Sequence, residues 1–383
     1  MTVGIVGAGQ LGRMLALAGY PLGLDFLFLD RDASVPAAAL APVLVGEFTD
    51  RALLRKLARR CDVLSFDWEN ISVAALRSAT RGLRTRIAPP LRALATGQDR
   101  LAEKRLFERL GVRTTRHAPV SSLAELKRAC LKIGTPGMLK TRRMGYDGKG
   151  QALIRDHKAI GAAWEKLGGA PLLYEELVDF EAEVSAIGVR ARNGSEAFYP
   201  LTRNWHQEGM LRLSIAPWSA PALERQARKA MRAVLREFNY VGVLAIEFFV
   251  RNGRLIANEL APRVHNSGHW TIEGAHTSQF ENHLRAIAGL PLGRAGVTGH
   301  SAMVNLIGRM PARAAVLAQP GVHLHEYGKS PRPGRKLGHC TLVAPTAGER
   351  NVRTRRLLRA LAGALKPANH RNKGREPLIS TEG

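Results

Sequence analysis

Cysteine is scarce in this 383-residue chain: Cys61, Cys130 and Cys340 are scattered and never form a C-x-x-C pair. That excludes a disulfide framework and a thiolate zinc site, and leaves inert core thiols as the expectation. Long apolar runs are missing too. No stretch approaches the roughly 18 apolar residues that a membrane helix requires, so no membrane partner is expected. Met1-Thr2-Val3-Gly4-Ile5-Val6-Gly7 enters a strand pattern at once, without a basic n-region or small-residue cleavage site, which makes the cytoplasm the expected location. Acidic residues are also in short supply, at 32 Asp and Glu against 57 Lys and Arg, a formal net charge of +25. Such a charge suits nucleic acid, because Lys and Arg neutralise phosphates and release counterions. Yet the cations are spread through every region, Arg far outnumbers Lys, and no helix-turn-helix, zinc finger or RNA-binding aromatic signature accompanies them. No nucleic-acid partner is expected; small anions are.

What is present is a globular composition. Hydrophobic residues make up 45% of the chain, and a chain of this length forms two or three domains that bury about three-quarters of the unfolded surface. Apolar runs at 3–7 and 24–30 flank a helical stretch from Leu11 to Gly19, a strand-helix-strand unit. A helix at Arg51–Arg60 and a strand at Asp62–Phe66 continue the alternation, which predicts a parallel sheet covered on both faces. After Pro89-Pro90 comes a basic amphipathic helix over Gln98–Leu110. Shorter strands and helices between His117 and Val178 have the size of an inserted subdomain. Val184–Ala191, Val243–Val250 and Leu255–Leu260 read as strands of a larger α+β unit, with a helix over Leu223–Phe238. Beyond Pro367 no apolar periodicity remains, as in a frayed tail.

The first motif is Gly7-Ala8-Gly9-Gln10-Leu11-Gly12, a strand-to-helix turn with Asp30 ending the next strand. The spacing meets the conditions for a dinucleotide fingerprint, but it suits another phosphate ligand or a purely structural turn as well. A second element, Lys140 to Gln151, is a strand-loop-strand whose Gly145, Gly148 and Gly150 and flanking cations suit a flap over a polyphosphate, with a solvated hairpin as the alternative. Glu175-Glu176-Leu177-Val178, then Glu183, ends an apolar strand and carries little information alone.

More specific are Glu247 and Glu259, carboxylates within two apolar strands joined at Asn252-Gly253. Buried carboxylates are costly unless paired or bound to a cation, and hard oxygen ligands suit magnesium. A two-residue turn would put Glu247 opposite Asn258 and turn Glu259 to the other face; a three-residue loop, Arg251 to Gly253, would bring both glutamates to one face. Joint ligation therefore predicts the three-residue loop. Next comes Leu260 to Trp270, rich in hydrogen-bonding groups, in which Arg263 suits a bidentate grip on a small oxyanion. His265 and His269, each taken singly, read more readily as structural histidines than as ligands. A last basic cluster, Tyr327 to His339, reads as an anion site or a solvated loop.

On these residues, Gly9 to Met14, Gln98 to Leu101, Lys140 to Gln151, Tyr199-Pro200-Leu201 leading to His206, Asn258 to Trp270, and Arg332 to His339, the chain resembles ATP-grasp enzymes. Within that superfamily it resembles the 5-(carboxyamino)imidazole ribonucleotide synthases of bacterial purine biosynthesis. The resemblance implies an α/β and α+β fold: a Rossmann-like domain over 1–95, a linker helix and small lid over 96–180, a grasp domain over 181–366, and a flexible tail over 367–383. It implies a homodimeric ligase in which ATP phosphorylates bicarbonate to carboxyphosphate, whose carbon dioxide is captured by aminoimidazole ribonucleotide. By the same resemblance Arg100, Lys140, the flap Gly145-Tyr146-Asp147-Gly148-Lys149-Gly150-Gln151, Glu175, Glu176, Leu177, Val178, Glu183, His206, Asn258 and Glu259 contact ATP. Glu247 and Glu259 hold magnesium, or manganese. Tyr146, Asp147, Arg263, His265 and Asn266 surround bicarbonate, and Gln10, Leu11, Glu69, Lys329, Arg335 and Lys336 hold the ribonucleotide. Two departures accompany it: Met144 stands where the flap pattern has glycine, and Asp67-Trp68-Glu69-Asn70 is a looser acidic stretch.

Overall fold

The computed structural model describes residues 1–145, 148–169 and 171–364. Tyr146, Asp147 and the expected tail over 367–383 lie outside the described residues. Three sheets follow one another along the chain.

The first is parallel, its strands in the order Val43–Val45, Asp25–Asp30, Thr2–Val6, Val63–Phe66, Arg86–Ile87. Alternate residues feed two cores. Val3, Ile5, Phe26 and Phe28 pack with Leu11, Met14 and Leu15 of the helix Gln10–Gly19, whereas Val6, Leu27, Leu29, Leu64 and Phe66 pack with Leu54, Leu57 and Leu76 of the helices Arg51–Arg59 and Val73–Thr80. Both faces are thus covered, as an apolar run without alternation predicts. The first core continues into Trp270, Phe280, Leu284 and Ile287, so this unit rests directly on the third. A buried contact at 3.0 Å between Ser65 Oγ and His283 Nε2 marks the seam.

The predicted helix over Gln98–Leu110 forms over Arg100–Arg109, and a further helix, Leu91–Gly97, precedes it. Asp99 separates them because its carboxylate caps the second, accepting from the Leu101 amide at 3.1 Å. The second sheet is antiparallel, ordered His117–Val120, Leu172–Glu176, Gly137–Thr141, Gln151–Ile154. It closes on the helices Leu123–Ile133 and Ile160–Leu167 around Leu126, Cys130, Leu139, Ile154 and Tyr174.

The third sheet has nine antiparallel strands. Its path runs Arg254–Ala261, Gly242–Arg251, Ala182–Arg190, Thr202–Gln207, Met210–Ala216, His300–Ile307, Lys336–Ala344, Val322–Glu326, with Glu196–Phe198 beside Ala182–Arg190. Val184, Ala186, Leu244, Ile246 and Phe248 face the helix Pro221–Glu237. The register puts Glu183, Ser185, Asn204, Glu247 and Glu259 on the opposite face. All three cysteines are buried; burial pushes the thiols of Cys61 and Cys340 up to about 12, so they are protonated packing groups.

Candidate active site

The hairpin that carries the two glutamates closes in two residues, not three. Arg251 pairs with Arg254 around Asn252 and Gly253, both with positive φ, at 50° and 66°, the turn that Asn-Gly favours. Uncorrected, that register would put Glu247 opposite Asn258. A β-bulge corrects it: the pairing shifts between Phe248↔Ala257 and Glu247↔Glu259, leaving Asn258 as the extra residue. The loop expectation was wrong, yet both carboxylates reach one face. The bulge is held from outside the hairpin. Lys104 Nζ donates to the Asn258 carbonyl at 2.9 Å, Thr114 Oγ1 donates to the Ala257 carbonyl at 2.7 Å, and Glu103 accepts from the Leu260 amide.

The Glu247 carboxyl is pushed up to about 7, by burial first and by Glu259 second. A hard cation shared by the two would remove that repulsion, and two carboxylates completed by phosphate oxygens form a donor set that magnesium takes. Among the described residues no group of three or more His, Cys, Asp or Glu side chains forms an all-protein cage.

Beside the pair lies a buried knot of cations. Lys104 Nζ and Lys140 Nζ each stand 3.3 Å from Glu175 Oε2, and Thr115 Oγ1 donates to that oxygen at 2.8 Å. Burial alone would raise the Glu175 pKa, but the two ammoniums outweigh it and hold the carboxyl well below its usual range. Arg100 reaches Glu259 Oε2 at 3.5 Å. The Glu175 side chain is therefore a counterion to the lysines, and the Glu176 side chain pairs with Arg116 at 2.7 Å. Leu177 is exposed and Val178 buried. On the sheet face His206 Nδ1 meets Glu183 Oε2 at 2.8 Å. Burial opposes the charge on His206, but Glu183 and Glu247 outweigh it and raise its pKa to about 9.

The flap springs from this knot. Asp99 accepts from Arg142 Nε at 3.0 Å and from Arg143 Nη2 at 3.3 Å, and the Thr141 amide donates to the Gly150 carbonyl at 2.8 Å. Gly148 has φ 77°, and a Cβ there would stand 3.2 Å from Gly209 Cα, so the flap tip meets the Glu208-Gly209 turn with room for glycine alone. Met144 also adopts a left-handed φ, 63°. Gly145 lies close to Arg100. The expected flap residues Tyr146 and Asp147 lie outside the described residues.

Near the carboxylates, Arg263 Nε stands 2.9 Å from Glu69 Oε1, which also lies in the field of Glu259 and Arg100. His265 turns Nε2 toward Glu247 Oε1 at 3.5 Å while its Nδ1 meets Ser267 Oγ at 2.8 Å. Burial, then Arg263 and Lys336, holds His265 well below its ordinary pKa, so it is neutral. Among the described residues Asn266 buries both its amide N and O without a partner, as does Asn258 its amide O; buried polar atoms of this kind need a ligand or water.

The glycine turn is filled by protein carboxylates. Asp67 Oδ2 accepts from the Gly9 amide at 2.7 Å and the Gly12 amide at 3.1 Å, and Asp30 Oδ2 accepts from Ala8 at 2.6 Å. A Cβ on Gly7 would fall 1.7 Å from Asp67 Oδ1. A dinucleotide pyrophosphate would have to displace two carboxylates, which argues against a nicotinamide cofactor. Among the described residues no side chain accepts from the Gln10 or Leu11 amide, and the Gln10 side chain accepts from Lys329 of the third unit. Arg335 and Lys336 lie in the charge field of Lys329.

Comparison with known proteins matches sequence profiles of a ribonucleotide synthetase preATP-grasp domain at residues 1–98, an ATP-grasp domain at 105–280 and a phosphoribosylaminoimidazole carboxylase C-terminal domain at 301–353. An N5-carboxyaminoimidazole ribonucleotide synthase of Pseudomonas aeruginosa is 48% identical over 342 residues, covering 89% of this chain and 94% of its own. The chain belongs to that synthase family. The solved N5-carboxyaminoimidazole ribonucleotide synthetase of Thermus thermophilus is 47% identical and superposes with a TM-score of 0.89 over 96% of this chain and 100% of its own. A synthase from Aspergillus clavatus, solved with ADP and 5-aminoimidazole ribonucleotide, is 30% identical with a TM-score of 0.86 over 94% of this chain and 98% of its own.

For a member of the synthase family, the residues missed in the sequence are as informative as those found. Lys104 lies four positions after Arg100 in the helix Arg100–Arg109, hence on the same face; that spacing was the available signal. Asp67 lies within the acidic stretch Asp67-Trp68-Glu69-Asn70, but nothing local shows that its carboxylate caps a distant helix.

Proposed function

We propose that this ATP-grasp ligase carboxylates 5-aminoimidazole ribonucleotide with bicarbonate, giving N5-carboxyaminoimidazole ribonucleotide, ADP and phosphate in purine biosynthesis. The observation that carries it is the Glu247/Glu259 pair with Arg100 reaching Glu259, in one site with the lysines Lys104 and Lys140 on Glu175 and with Arg263 on Glu69. Phosphoryl transfer needs positioning and charge neutralisation more than an acid–base dyad, and this site is rich in the former.

The lysines and Arg100 hold the ATP phosphates, with Gly145, Gly148, Lys149, Gly150 and Gln151 of the flap above them. The strand end Glu175 to Val178 offers its backbone to adenine, Glu183 takes the ribose, and charged His206 adds a contact to the nucleotide. Glu247 and Glu259, with Asn258 beside them, would hold magnesium, or manganese, which when bound neutralises charge on the transferring phosphoryl group. Arg263 grips bicarbonate, and the Asn266 amide and neutral His265 complete its surroundings with Tyr146 and Asp147. A bicarbonate oxygen attacks the γ-phosphorus and ADP leaves; carboxyphosphate then releases phosphate and carbon dioxide. The substrate amine forms the C–N bond to carbon dioxide and loses a proton. Water would hydrolyse carboxyphosphate, so the flap must close first. Gln10, Leu11, Glu69, Lys329, Arg335 and Lys336 bind the ribonucleotide, its phosphate toward Lys329 and the amides of Gln10 and Leu11. A homodimer in the cytoplasm goes with the same reading.

The test is steady-state ADP release with the ribonucleotide and bicarbonate omitted in turn. Release should need both; release indifferent to the ribonucleotide would overturn the assignment while leaving the family intact.

A further inference from the structure

Two of the segments assigned to the ribonucleotide and bicarbonate are loops, 262–270 with Arg263, His265 and Asn266, and 327–335 with Lys329 and Arg335, the latter followed by Lys336. Loops move unless something fixes them. Behind both lies a cluster of aromatic side chains that the proposed chemistry does not use. His325 and His339 are directly opposite in the sheet, and their rings stack at 4.4 Å with planes 8° apart. His269, near the end of the first loop, places its ring 4.9 Å from His339 and 5.5 Å from Phe280. Tyr327 OH bonds His339 Nδ1 at 2.7 Å, and His325 Nε2 meets Glu273 Oε1 at 2.6 Å. Glu273 sits in the short helix Thr271–Gly274 that follows the first loop.

One ring thus comes from the first loop, and the other two from the strands Val322–Glu326 and Lys336–Ala344 on either side of the second. His269 follows Arg263 by six positions, His325 precedes Lys329 by four, and His339 follows Lys336 by three. Burial, with neighbouring positive groups, holds His269 and His339 well below their ordinary pKa, so both rings are uncharged and pack without repulsion. Their burial is nearly complete, at 1% and 0% exposure. The lysines assigned to ATP, Lys104 and Lys140, come from other elements.

We infer that His269, His325 and His339 are positioning residues that lock the Arg263 loop against the Lys329–Lys336 segment and so set the geometry of the ribonucleotide site. The inference rests on the functional reading above. A site loop displaced by about 1 Å loses on the order of 100-fold in rate, so the stack acts at a distance through placement alone.

The experiment compares His339→Ala and His339→Phe with the wild-type enzyme in the ADP-release assay, varying ribonucleotide and ATP separately. His339→Ala should raise the ribonucleotide KM about tenfold and leave the ATP KM within about twofold; His339→Phe, which restores a ring, should recover most of that loss. His325→Gln, at the sheet edge, serves where the alanine variant fails to fold and should show the same split. A parallel rise in both KM values, or no change in either, would overturn the inference. Wild-type ADP release that ignores the ribonucleotide would instead overturn the functional reading itself.

Discussion

Glu247 and Glu259 stand directly opposite each other on neighbouring strands, and a single bulged residue, Asn258, brings them into register. The pair is repulsive without a cation, since Glu259 helps push the Glu247 carboxyl up to about 7. Function and stability should therefore respond in opposite directions to Glu259→Gln. Turnover should fall by about 1,000-fold or more, roughly 4 kcal/mol of lost transition-state stabilisation. The melting temperature should stay level or rise, and the dependence of thermal stability on magnesium should disappear. Calorimetry with and without magnesium, beside the ADP assay, checks both halves. Retained turnover would remove Glu259 from the metal site.

Lys104 and Glu175 make a different kind of pair, with side chains 1% and 2% exposed. Lys104→Met should destabilise the protein by about 2–3 kcal/mol, at or below the low end for breaking a buried pair because Lys140 still faces the same carboxylate oxygen. Adding Glu175→Gln should recover much of that stability but not ATP affinity. Denaturant melts and ATP titrations of the single and double variants decide it. Full recovery of affinity in the double variant would make Lys104 purely structural.

The contrast between these pairs explains what was legible in the sequence. The parallel sheet, the lid and the hairpin strands follow from apolar period and turn residues, which are local. Even the Asn252-Gly253 turn is a local signal, and the two-residue closure it favours is the one formed. The bulge at Asn258 was not legible, because the groups that satisfy it come from Glu103, Lys104 and Thr114, more than 140 positions away. The role of the Glu175 side chain was hidden for the same reason: its partners Lys104, Lys140 and Thr115 lie on a helix, a neighbouring strand and the segment before another strand. Asp67 caps amides 55 and 58 positions upstream. Local patterns gave the elements; long-range polar contacts decided which side chains point where.

Lys329 gives a pH test with two signs. Burial, then Arg335, pulls its pKa from 10.5 down to about 8. Below pH 8 it is charged and, in the proposed assignment, attracts the substrate phosphate, so the ribonucleotide KM should climb as pH rises from 8 to 9. A pKa lowered on folding means that the unfolded state binds the extra proton. The contribution of Lys329 to stability therefore increases as pH rises from about 8 toward 10.5 and is lost as pH falls back through 8. Lys329→Met should flatten both profiles. A ribonucleotide KM that climbs over the same range in Lys329→Met would place the titrating group elsewhere.

Met144 carries the last prediction. Its φ of 63° is one that side chains with a Cβ adopt at a cost, and the side chain is 68% exposed, so no burial offsets the strain. Met144→Gly should relieve about 1 kcal/mol in the flap, part of it offset because glycine gains freedom in the open state. The flap lies outside the main cores, so the melting temperature should move by less than about 2 °C. The effect belongs to closure. If closure shields carboxyphosphate from water, the glycine variant should form less free phosphate per carboxylated product than wild type at saturating substrates. Measuring phosphate and product together in one reaction tests this, and an unchanged ratio would show that strain at Met144 does not govern how tightly the flap shuts.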